Sequence, residues 1–285
     1  MKKIILFGAT GQLGKAIAKE LAGRGCQFTI VVRSREKALM LSDYTDQFIL
    51  ADVTDPATIE DSTKGFDVVI SALGKSVSPF ERSKPSFRTI DLHGNLLILR
   101  DALKHGVKKF VYISAFHAEK YEELEYFKVH QEFSDQLASS GIDYSIIRPP
   151  ALFSAFLDMI ILARKGYLTN LGSGEKKTNP IYEGDLARIC IDSIEMSNVV
   201  VDAGGQHVYS RRELNEIVQR IVDPKKKIRQ IPAGLIRSML PLVRLFDRNS
   251  FDKMIFFLKV MEEDVLAPRL GEMKFEDYIA AKAGN

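Results

Sequence analysis

The chain has 285 residues, of which 46% are hydrophobic and 27% are charged, which predicts a globular protein of one large α/β domain or one domain with a small lobe. The near balance of 40 basic and 37 acidic residues argues against a nucleic-acid partner, and only two cysteines argue against a disulfide framework. No stretch approaches the roughly 20 apolar residues of a membrane span, so we expect a cytoplasmic protein without integral membrane association.

The first fourteen residues organise the chain. Ile4–Phe7 is an unbroken apolar run, as in a strand that is buried on both faces. Gly8, Gly11 and Gly14 follow at three-residue spacing, and apolar residues from Leu13 onward then recur at helical spacing. A strand, a glycine turn and a helix in this order present unpaired backbone N–H groups to a phosphate. The stretch therefore predicts a dinucleotide-binding βα unit.

Each glycine has its own expected role in such a site. Gly8 allows the tight turn, Gly11 leaves room for a pyrophosphate, and Gly14 lets the helix lie close to the sheet. The predicted cofactor contacts of this loop are Gly8, Thr10, Gly11, Gln12, Leu13 and Gly14. The alternative is an ordinary glycine-rich turn of another doubly wound protein.

The second predicted strand, Phe28–Val32, ends at Arg33, where NAD-binding units usually carry an acidic residue for the ribose 2′-hydroxyl. Arg35 and Lys37 follow it. A carboxylate would repel a 2′-phosphate, whereas a guanidinium can bind it through two hydrogen bonds. We therefore expect preference for NADP(H) over NAD(H); the alternative is that Arg33 is a solvated loop residue.

Four more strands alternate with helices before Pro150. We predict strands at Gln47–Ala51, Asp67–Ala72, Lys108–Ser114 and Tyr144–Arg148, a helix opening at Asp55-Pro56, and helices at Phe87–His105 and about Glu122–Ser140. This alternation predicts a Rossmann-like, doubly wound parallel sheet of six strands. Ligands bind beyond the carboxyl ends of such strands. The further predicted cofactor contacts are Asp52, Val53, Ala72, Leu73, Gly74 and Pro149, and residues 75–84 are expected to form a loop over the cleft mouth.

The alternation degrades beyond Pro150. Helices are expected at Asp185–Ile194 and Arg211–Val222, short strands at Val199–Asp202, Val208-Tyr209 and Ile228–Ile231, and helix-like apolar stretches at Ile236–Phe246 and Phe251–Val260. We interpret residues 1–150 as an NAD(P)-binding core and residues 151–285 as a substrate-binding part fused to it in a single structural unit. The basic, apolar tail from Pro232 onward can cover a core, roof a substrate pocket, contact a subunit or lie on a membrane surface; we expect it to cover a core.

Several phrases together resemble the short-chain dehydrogenase/reductase superfamily. They are Thr10–Gly14, Asp52-Val53, Tyr112–Ser114, Lys128–Glu132, Ser140–Pro149 and Ile181–Ala187. More narrowly, the chain is similar to the atypical, NmrA-like or NAD(P)H-binding branch, whose members include relatives of biliverdin reductase B and isoflavone-type reductases. The resemblance covers about residues 1–220. It implies a single Rossmann-like domain that binds NAD(P)(H), with the substrate held by the C-terminal part.

In better-known members, the resemblance implies a tyrosine acid and, one helical turn later with three residues between them, a lysine that holds the nicotinamide ribose. If Lys128 is that lysine, Leu124 stands where the tyrosine is expected, and neither Tyr121 nor Tyr126 occupies that position. Lys128 is thus a candidate for ribose binding, or for proton donation if burial makes its ammonium more acidic. The alternative is an exposed helix lysine paired with Glu132.

Two further residues are candidates for catalysis. Ser114 ends a strand where the family often places a serine that bonds substrate or cofactor, although a structural hydroxyl is the alternative. His117 follows in a loop on the cleft side and can deliver a proton, or is a surface residue. The other histidines, His93, His105, His130 and His207, are too scattered to suggest a metal site, so we predict none.

Three functions remain under consideration. The first is an NADP(H)-dependent oxidoreductase acting on a small, rather apolar carbonyl or conjugated substrate. The second is a catalytically weak NAD(P)H-binding sensor or assembly protein, which fits Leu124 in place of the tyrosine. The third, a nucleotide-sugar epimerase-like enzyme, is disfavoured because it should retain that tyrosine. The substrate and the oligomeric state are left open.

Overall fold

The structure, a computed structural model, describes residues 2–78 and 80–284. They form two compact units. The first comprises the chain up to Lys75, Pro85–Arg148 and Leu186–Asp202, and the second comprises Ser76–Lys84, Pro149–Asp185 and the chain from Ala203 onward. Met1, Pro79 in the predicted loop and Asn285 lie outside the described residues.

The first unit is built on a seven-stranded parallel sheet. Its strands are β1 (Ile4–Phe7), β2 (Phe28–Val32), β3 (Phe48–Leu50), β4 (Val68–Ser71), β5 (Lys109–Ile113), β6 (Asp143–Arg148) and β9 (Val199–Asp202). They lie in the order β3–β2–β1–β4–β5–β6–β9, and every neighbouring pair is parallel. The predicted Rossmann-like α/β fold is confirmed. One short strand expected after Pro150 extends the sheet as its seventh strand, beside β6.

Five helices complete the predicted alternation. They are α1 (Gln12–Gly23), α2 (Arg35–Leu39), α3 (Pro56–Ile59), α4 (Asn95–Lys104) and α5 (Glu125–Ser139). The apolar row predicted for α1 is buried, and every residue of β1 is buried, so this strand and helix form the centre of the unit. Asp55 caps α3 by accepting a hydrogen bond from the backbone N–H of Ala57, and Pro56 is the first helical residue, as predicted.

Two helices differ from their predicted bounds. The helix expected over Phe87–His105 begins with a wide π-helical segment, Arg88–Gly94, before α4. The helix expected from Glu122 starts at Glu125, because the preceding residues form a turn in which the Leu124 N–H donates to the Tyr121 carbonyl. A short 3-10 turn, Ala118–Lys120, precedes it.

The second unit has its own aromatic core. Its strands are β7 (Thr169–Leu171), β8 (Lys177–Thr178), β10 (Tyr209–Ser210) and β11 (Arg229–Ile231); its helices are α6 (Leu157–Lys165), α8 (Arg211–Val222), α9 (Ala233–Phe246), α10 (Arg248–Glu262) and α11 (Phe275–Ala283), and α7 (Glu183–Asp192) begins in it and continues into the first unit. Phe153, Phe156, Leu214, Val218 and Phe275 lie at the centre of the core. Strands β7 and β8 and helices α6 and α11 were not predicted from the sequence.

The tail from Pro232 onward has the predicted role only in part, because Leu258 of α10 and Phe275 and Ile279 of α11 are buried. α9 contains no buried residue, so the expectation that the tail covers a core is wrong for this helix. One face of the helix packs only partly, against α10. Among the described residues, no helix is both long and apolar enough to cross a bilayer.

Candidate functional site

The loop between β1 and α1 is fixed by contacts of its own backbone. Gly8 has φ +75°, and a Cβ there would lie 2.5 Å from the carbonyl oxygen of Ala72. A Cβ on Gly14 would lie 2.1 Å from the carbonyl oxygen of Gly8, so no side chain fits without backbone movement. The Gly11 N–H donates to the Gly8 carbonyl at 3.1 Å, which closes the turn. Gly8 therefore lies in a tight turn with positive φ, and Gly14 lies against the backbone of Gly8 and Ala9.

The outer side of the same loop is open. A Cβ on Gly11 would meet nothing closer than the Gly8 carbonyl oxygen at 3.4 Å, and Gly11 and Gln12 are exposed. Gly11 is the N-cap of α1 without a side-chain hydrogen bond, and the first turn of the helix holds no acidic residue. The first N–H groups of α1 are therefore free to bind an anion, and the helix dipole favours one. Thr10 is half-buried and Leu13 is buried beside this opening.

Arg33 and Asp52 carry opposite charges at the ends of adjacent strands. Arg33 is exposed directly after β2, and Ser34 accepts a hydrogen bond from the Lys37 N–H to cap α2. Burial opposes the charge of Asp52, but hydrogen bonds from the N–H and hydroxyl of Thr54 and the nearby Arg33 charge hold its pKa below the ordinary value. The pair thus places a cation and an ionised carboxylate at one end of the sheet.

The segment after β4 packs against the glycine loop and the π-helical segment. The Ala72 N–H donates to the Phe7 carbonyl at 3.1 Å. A Cβ on Gly94 would lie 3.1 Å from Leu73 and 3.3 Å from Val53, so these side chains are neighbours. Gly74 is exposed. Of the remaining predicted contacts, Pro149 follows β6 directly and is buried.

Lys128 lies on α5 and is 48% exposed. Its N–H donates to the carbonyl of Leu124, the N-cap residue that stands where the resemblance implies a tyrosine. Its ammonium lies 3.9 Å from Glu132, whose carboxylate accepts a 2.8 Å hydrogen bond from Arg88. Tyr126 points elsewhere, because its ring packs against His130 and Phe87 with centroids 4.7 and 5.3 Å away.

Ser114 and His117 contact other residues than those that contact Lys128. The Ser114 hydroxyl is buried 3.3 Å from the hydroxyl of Ser134 on α5. His117 has φ +65° at the start of the 3-10 turn, and its ring stacks on Phe116 with centroids 3.9 Å apart. Burial, followed by the charge of Lys120, lowers the pKa of His117, so its ring is mainly neutral at pH 7.

Residues 8–197 match the NAD(P)H-binding family. This match spans more than half of the chain. The chain belongs to the NAD(P)H-binding family.

Several relatives share low sequence identity with this chain but align with most of its length. The photosystem II assembly factor Ycf39 of Synechocystis sp. is 23% identical over 89% of this chain and 78% of its own length. The chloroplastic divinyl chlorophyllide a 8-vinyl-reductase of Zea mays is 26% identical over 96% of this chain and 74% of its own. The Citrobacter sp. triphenylmethane reductase complexed with NADP(H) superposes with a TM-score of 0.75 at 18% identity, covering 98% of this chain and 99% of that one, which shows a common fold.

A buried polar cluster beside these segments was not predicted. Asp91, in the π-helical segment, accepts the Lys75 N–H at 3.2 and 3.3 Å and lies 3.5 Å from His130 Nε2. His130 Nδ1 is 2.6 Å from the hydroxyl of Tyr112 on β5. Asp91, Tyr112 and His130 are each at most 4% exposed. The sequence has no spacing pattern that connects Asp91, Tyr112 and His130. The one signal available was that each is a polar residue within an apolar stretch.

Burial sets the charge state of this cluster. It raises the pKa of Asp91 to about 8, against the hydrogen bond from the Lys75 N–H, and it lowers the pKa of His130 to about 4. It also raises the pKa of Tyr112 well above its ordinary value. Asp91 and His130 therefore meet as a neutral acid and a neutral imidazole rather than as an ion pair.

A second grouping lies at the opposite end of α4. Ligand atoms of Asp61, Asp101 and His105 lie within 4.8 Å of one another, so His105 is less isolated than its place in the sequence implies. Asp101 accepts hydrogen bonds from the N–H groups of Asp61 and Thr63, and Asp61 pairs with Lys104 at 2.8 Å. Lys104 compensates the charge of Asp61, and the hydrogen bonds to Asp101 tie the end of α4 to the turn after α3.

Proposed function

We propose that this protein is an NADP(H)-dependent oxidoreductase of the atypical short-chain dehydrogenase/reductase type, in the NmrA-like branch. Its substrate would be a small, rather apolar carbonyl or conjugated compound. The observation that carries the proposal is the β1–α1 loop, in which Gly8 and Gly14 admit no side chain while the side of Gly11 and the α1 N-terminus stays open. That arrangement suits a diphosphate bridge.

We assign the remaining cofactor contacts by their positions in the Rossmann sheet. Arg33 would bind the 2′-phosphate, which favours NADP(H), and Asp52 and Val53 would line the adenosine end. The backbone of Ala72–Gly74 would approach the cofactor, and Pro149 would contact it beyond β6. The naming of an NADP(H) complex for the Citrobacter reductase supports the same choice of coenzyme.

The nicotinamide, when bound, would supply or accept the hydride, and the chain would supply binding and orientation. We assign Lys128 to the ribose hydroxyls, since a half-exposed ammonium lacks the burial that proton donation would need. Ser114 would orient the substrate or the cofactor. His117 would donate a proton only in acidic solution, because its lowered pKa leaves it neutral at pH 7.

The relationship to an assembly factor favours a second candidate function. Leu124 occupies the position implied for the acidic tyrosine, and the Synechocystis relative is named for photosystem II assembly rather than for a reaction. A catalytically weak NAD(P)H-binding sensor or assembly protein would have the same cofactor loop. For either function, we propose that residues 151–285 hold the substrate or partner and that the protein acts in the cytoplasm.

A two-step experiment separates these candidates. NADPH fluorescence is first titrated with the protein, and NADPH consumption is then followed with a panel of carbonyls, quinones and conjugated alkenes. We expect saturable binding and turnover of at least one apolar compound. Tight binding without turnover on any compound, together with a partner whose capture requires NADPH, would favour the sensor. Absence of NADPH binding would contradict both.

A further inference from the structure

The surface of α9 carries large apolar side chains that are more than half exposed. Leu235, Met239, Leu242 and Phe246 are 58, 52, 61 and 79% exposed. Their spacings of four, three and four residues place them in one row along the helix, which we name the apolar stripe. Leu245, which is 77% exposed, flanks this row.

The opposite side of α9 faces α10. Arg237 pairs with Glu262 at 2.5 Å, and the Arg244 guanidinium lies 5.5 Å from the centre of the Phe251 ring. Ile236, Leu240 and Val243 share that side and are half-buried. The residues of α9 that contact α10 therefore lie mainly outside the stripe, whose side chains stay more than half exposed. Burial of this row against a partner would remove a large apolar surface from water, which is energetically favourable.

The segment around the stripe is strongly basic. Residues 224–246 contain six Lys or Arg residues and no Asp or Glu. Lys225, Lys227 and Arg229 are exposed, and no ion pair with them is found in the described residues. These three cations precede the N-terminus of α9, whose helix dipole adds positive potential.

We propose that the apolar stripe and the basic segment bind the surface of an anionic phospholipid bilayer, with α9 lying in the interface. Exposed Leu, Met and Phe side chains fit the boundary between headgroups and acyl chains, and lipid phosphates attract the exposed cations Lys225, Lys227 and Arg229. At about 1.5 Å per residue, α9 is too short to span the roughly 30 Å hydrocarbon core, so it lies on the surface.

A second copy of the chain fits this surface less well. A symmetric dimer through the stripe would bring two basic segments of the same sign together, without an acidic residue in either to compensate. An anionic bilayer offers both the apolar environment and the opposite charge. The proposal concerns the second unit alone and does not depend on cofactor binding.

The test is co-sedimentation of the full chain with vesicles. One set consists of phosphatidylcholine alone, and the other contains about 30% phosphatidylglycerol. We expect binding to the anionic vesicles only, and a loss of most of that binding when the salt is raised from about 0.1 M to about 0.5 M. Equal binding to both vesicle types, or no binding to either, would overturn the proposal.

Two variants and a matched control locate the surface. Leu242→Glu should weaken binding to anionic vesicles about 10- to 100-fold, since it places a carboxylate in the stripe. The combined change Lys225→Gln, Lys227→Gln, Arg229→Gln should weaken it about 100-fold. Leu103→Glu, at an exposed leucine of α4 in the first unit, should change it less than about twofold.

Light scattering and thermal unfolding of each variant accompany the vesicle measurements. Unchanged unfolding temperatures would show that the variants remain folded, as the exposure of Leu242 leads us to expect. The proposal is contradicted if Leu242→Glu binds vesicles as tightly as the wild type, or if it converts a stable dimer into a monomer while vesicle binding persists. The latter result would identify the stripe as a contact between copies of the chain.

Discussion

The β1–α1 loop and helix α9 show opposite relations between sequence and environment. In the loop, the chain's own backbone determines which residues are possible: a Cβ on Gly14 would lie 2.1 Å from the Gly8 carbonyl oxygen. In α9, the largest apolar side chains touch little, and no residue of the helix is buried. The loop is constrained by the fold itself, whereas the apolar stripe of α9 is left largely exposed by the described residues.

This difference decides which kind of evidence identifies each region. The fold requires a glycine at position 14, whereas Gly11 in the same loop borders open space. Such space beside a constrained loop points to a ligand that fills it. An exposed apolar row points to a partner, but its packing in the chain does not say which one. Charge is then the remaining guide, and it separates a bilayer from a second copy of the chain.

The strongest test of the loop is Gly14→Ala. We expect a loss of about 5 kcal/mol in the free energy of unfolding, or no folded protein, because the new methyl group meets backbone atoms of Gly8 and Ala9 below 3 Å. Gly23→Ala, in the same helix with nothing within 4 Å, is the control and should be neutral or slightly stabilising. Urea unfolding measures both. Similar urea midpoints for the two variants would contradict the conclusion that the backbone around Gly14 excludes a side chain.

The next test compares a buried and an exposed side chain of the second unit. Phe153→Ala should cost about 4 kcal/mol of unfolding free energy, since Phe153 is 1% exposed in the aromatic core. Leu242→Ala should cost less than about 0.5 kcal/mol, since the stripe makes few contacts. Urea unfolding monitored by circular dichroism is the measurement. A large cost for Leu242→Ala in dilute monomer would mean that the stripe is packed in solution.

The buried cluster of Asp91, Tyr112 and His130 should make the free energy of unfolding of the first unit depend on pH. The pKa of Asp91 is raised by burial to about 8, so the folded state holds a proton that the unfolded state releases near pH 4. Stability from this group is fully present below about pH 4 and is lost as the pH rises toward 8. Asp91→Asn should therefore reduce the decline in unfolding free energy between pH 5 and pH 8 by about 3 kcal/mol.

Unfolding titrations at several pH values test this prediction, with exposed Asp43→Asn as the control. His130 acts in the other direction: its pKa is lowered to about 4, so its stabilising effect is present above about pH 6.5 and is lost as the pH falls toward 4. Parallel profiles for the wild type and Asp91→Asn would show that Asp91 is ionised in the folded protein.

The sequence specified local structure well where neighbouring residues determine it. Helix α8 has the predicted bounds, Arg211–Val222, and Ser210 and Glu213 form a capping box at its start. The glycine spacing likewise predicted the first βα unit. Both depend on residues within a few positions of one another.

Long-range contacts were beyond the same reasoning. Asp91, Tyr112 and His130 meet only because β5, α5 and the π-helical segment pack together, so no local pattern announced them. The edge position of β9 depends on its pairing with β6, more than 50 residues earlier. The amphipathic pattern of α9 was visible in the sequence, but the fate of its apolar face was not, because a pattern does not say what covers it.

A further test compares the effects of two exposed basic residues, Arg33 and Lys37, on coenzyme affinity. Arg33→Asp should weaken NADPH binding about 20-fold and NADH binding much less, because the guanidinium would meet the 2′-phosphate. Lys37→Asp, with the same charge change at another exposed residue of this region, should weaken both coenzymes slightly and about equally. Fluorescence titration with each coenzyme gives the four dissociation constants. Equal losses of NADPH and NADH affinity in Arg33→Asp would contradict the assignment.

The most direct measurement is an NADPH titration of the wild type and Gly11→Ala. A Cβ at Gly11 contacts only the Gly8 carbonyl oxygen, at an ordinary 3.4 Å, so the variant should fold normally while its methyl group occupies the space assigned to the diphosphate. We predict saturable binding by the wild type and at least about tenfold weaker binding by the variant, at an unchanged unfolding midpoint. Equal affinities, or a wild type that does not bind NADPH, would contradict the assignment of this loop to the coenzyme.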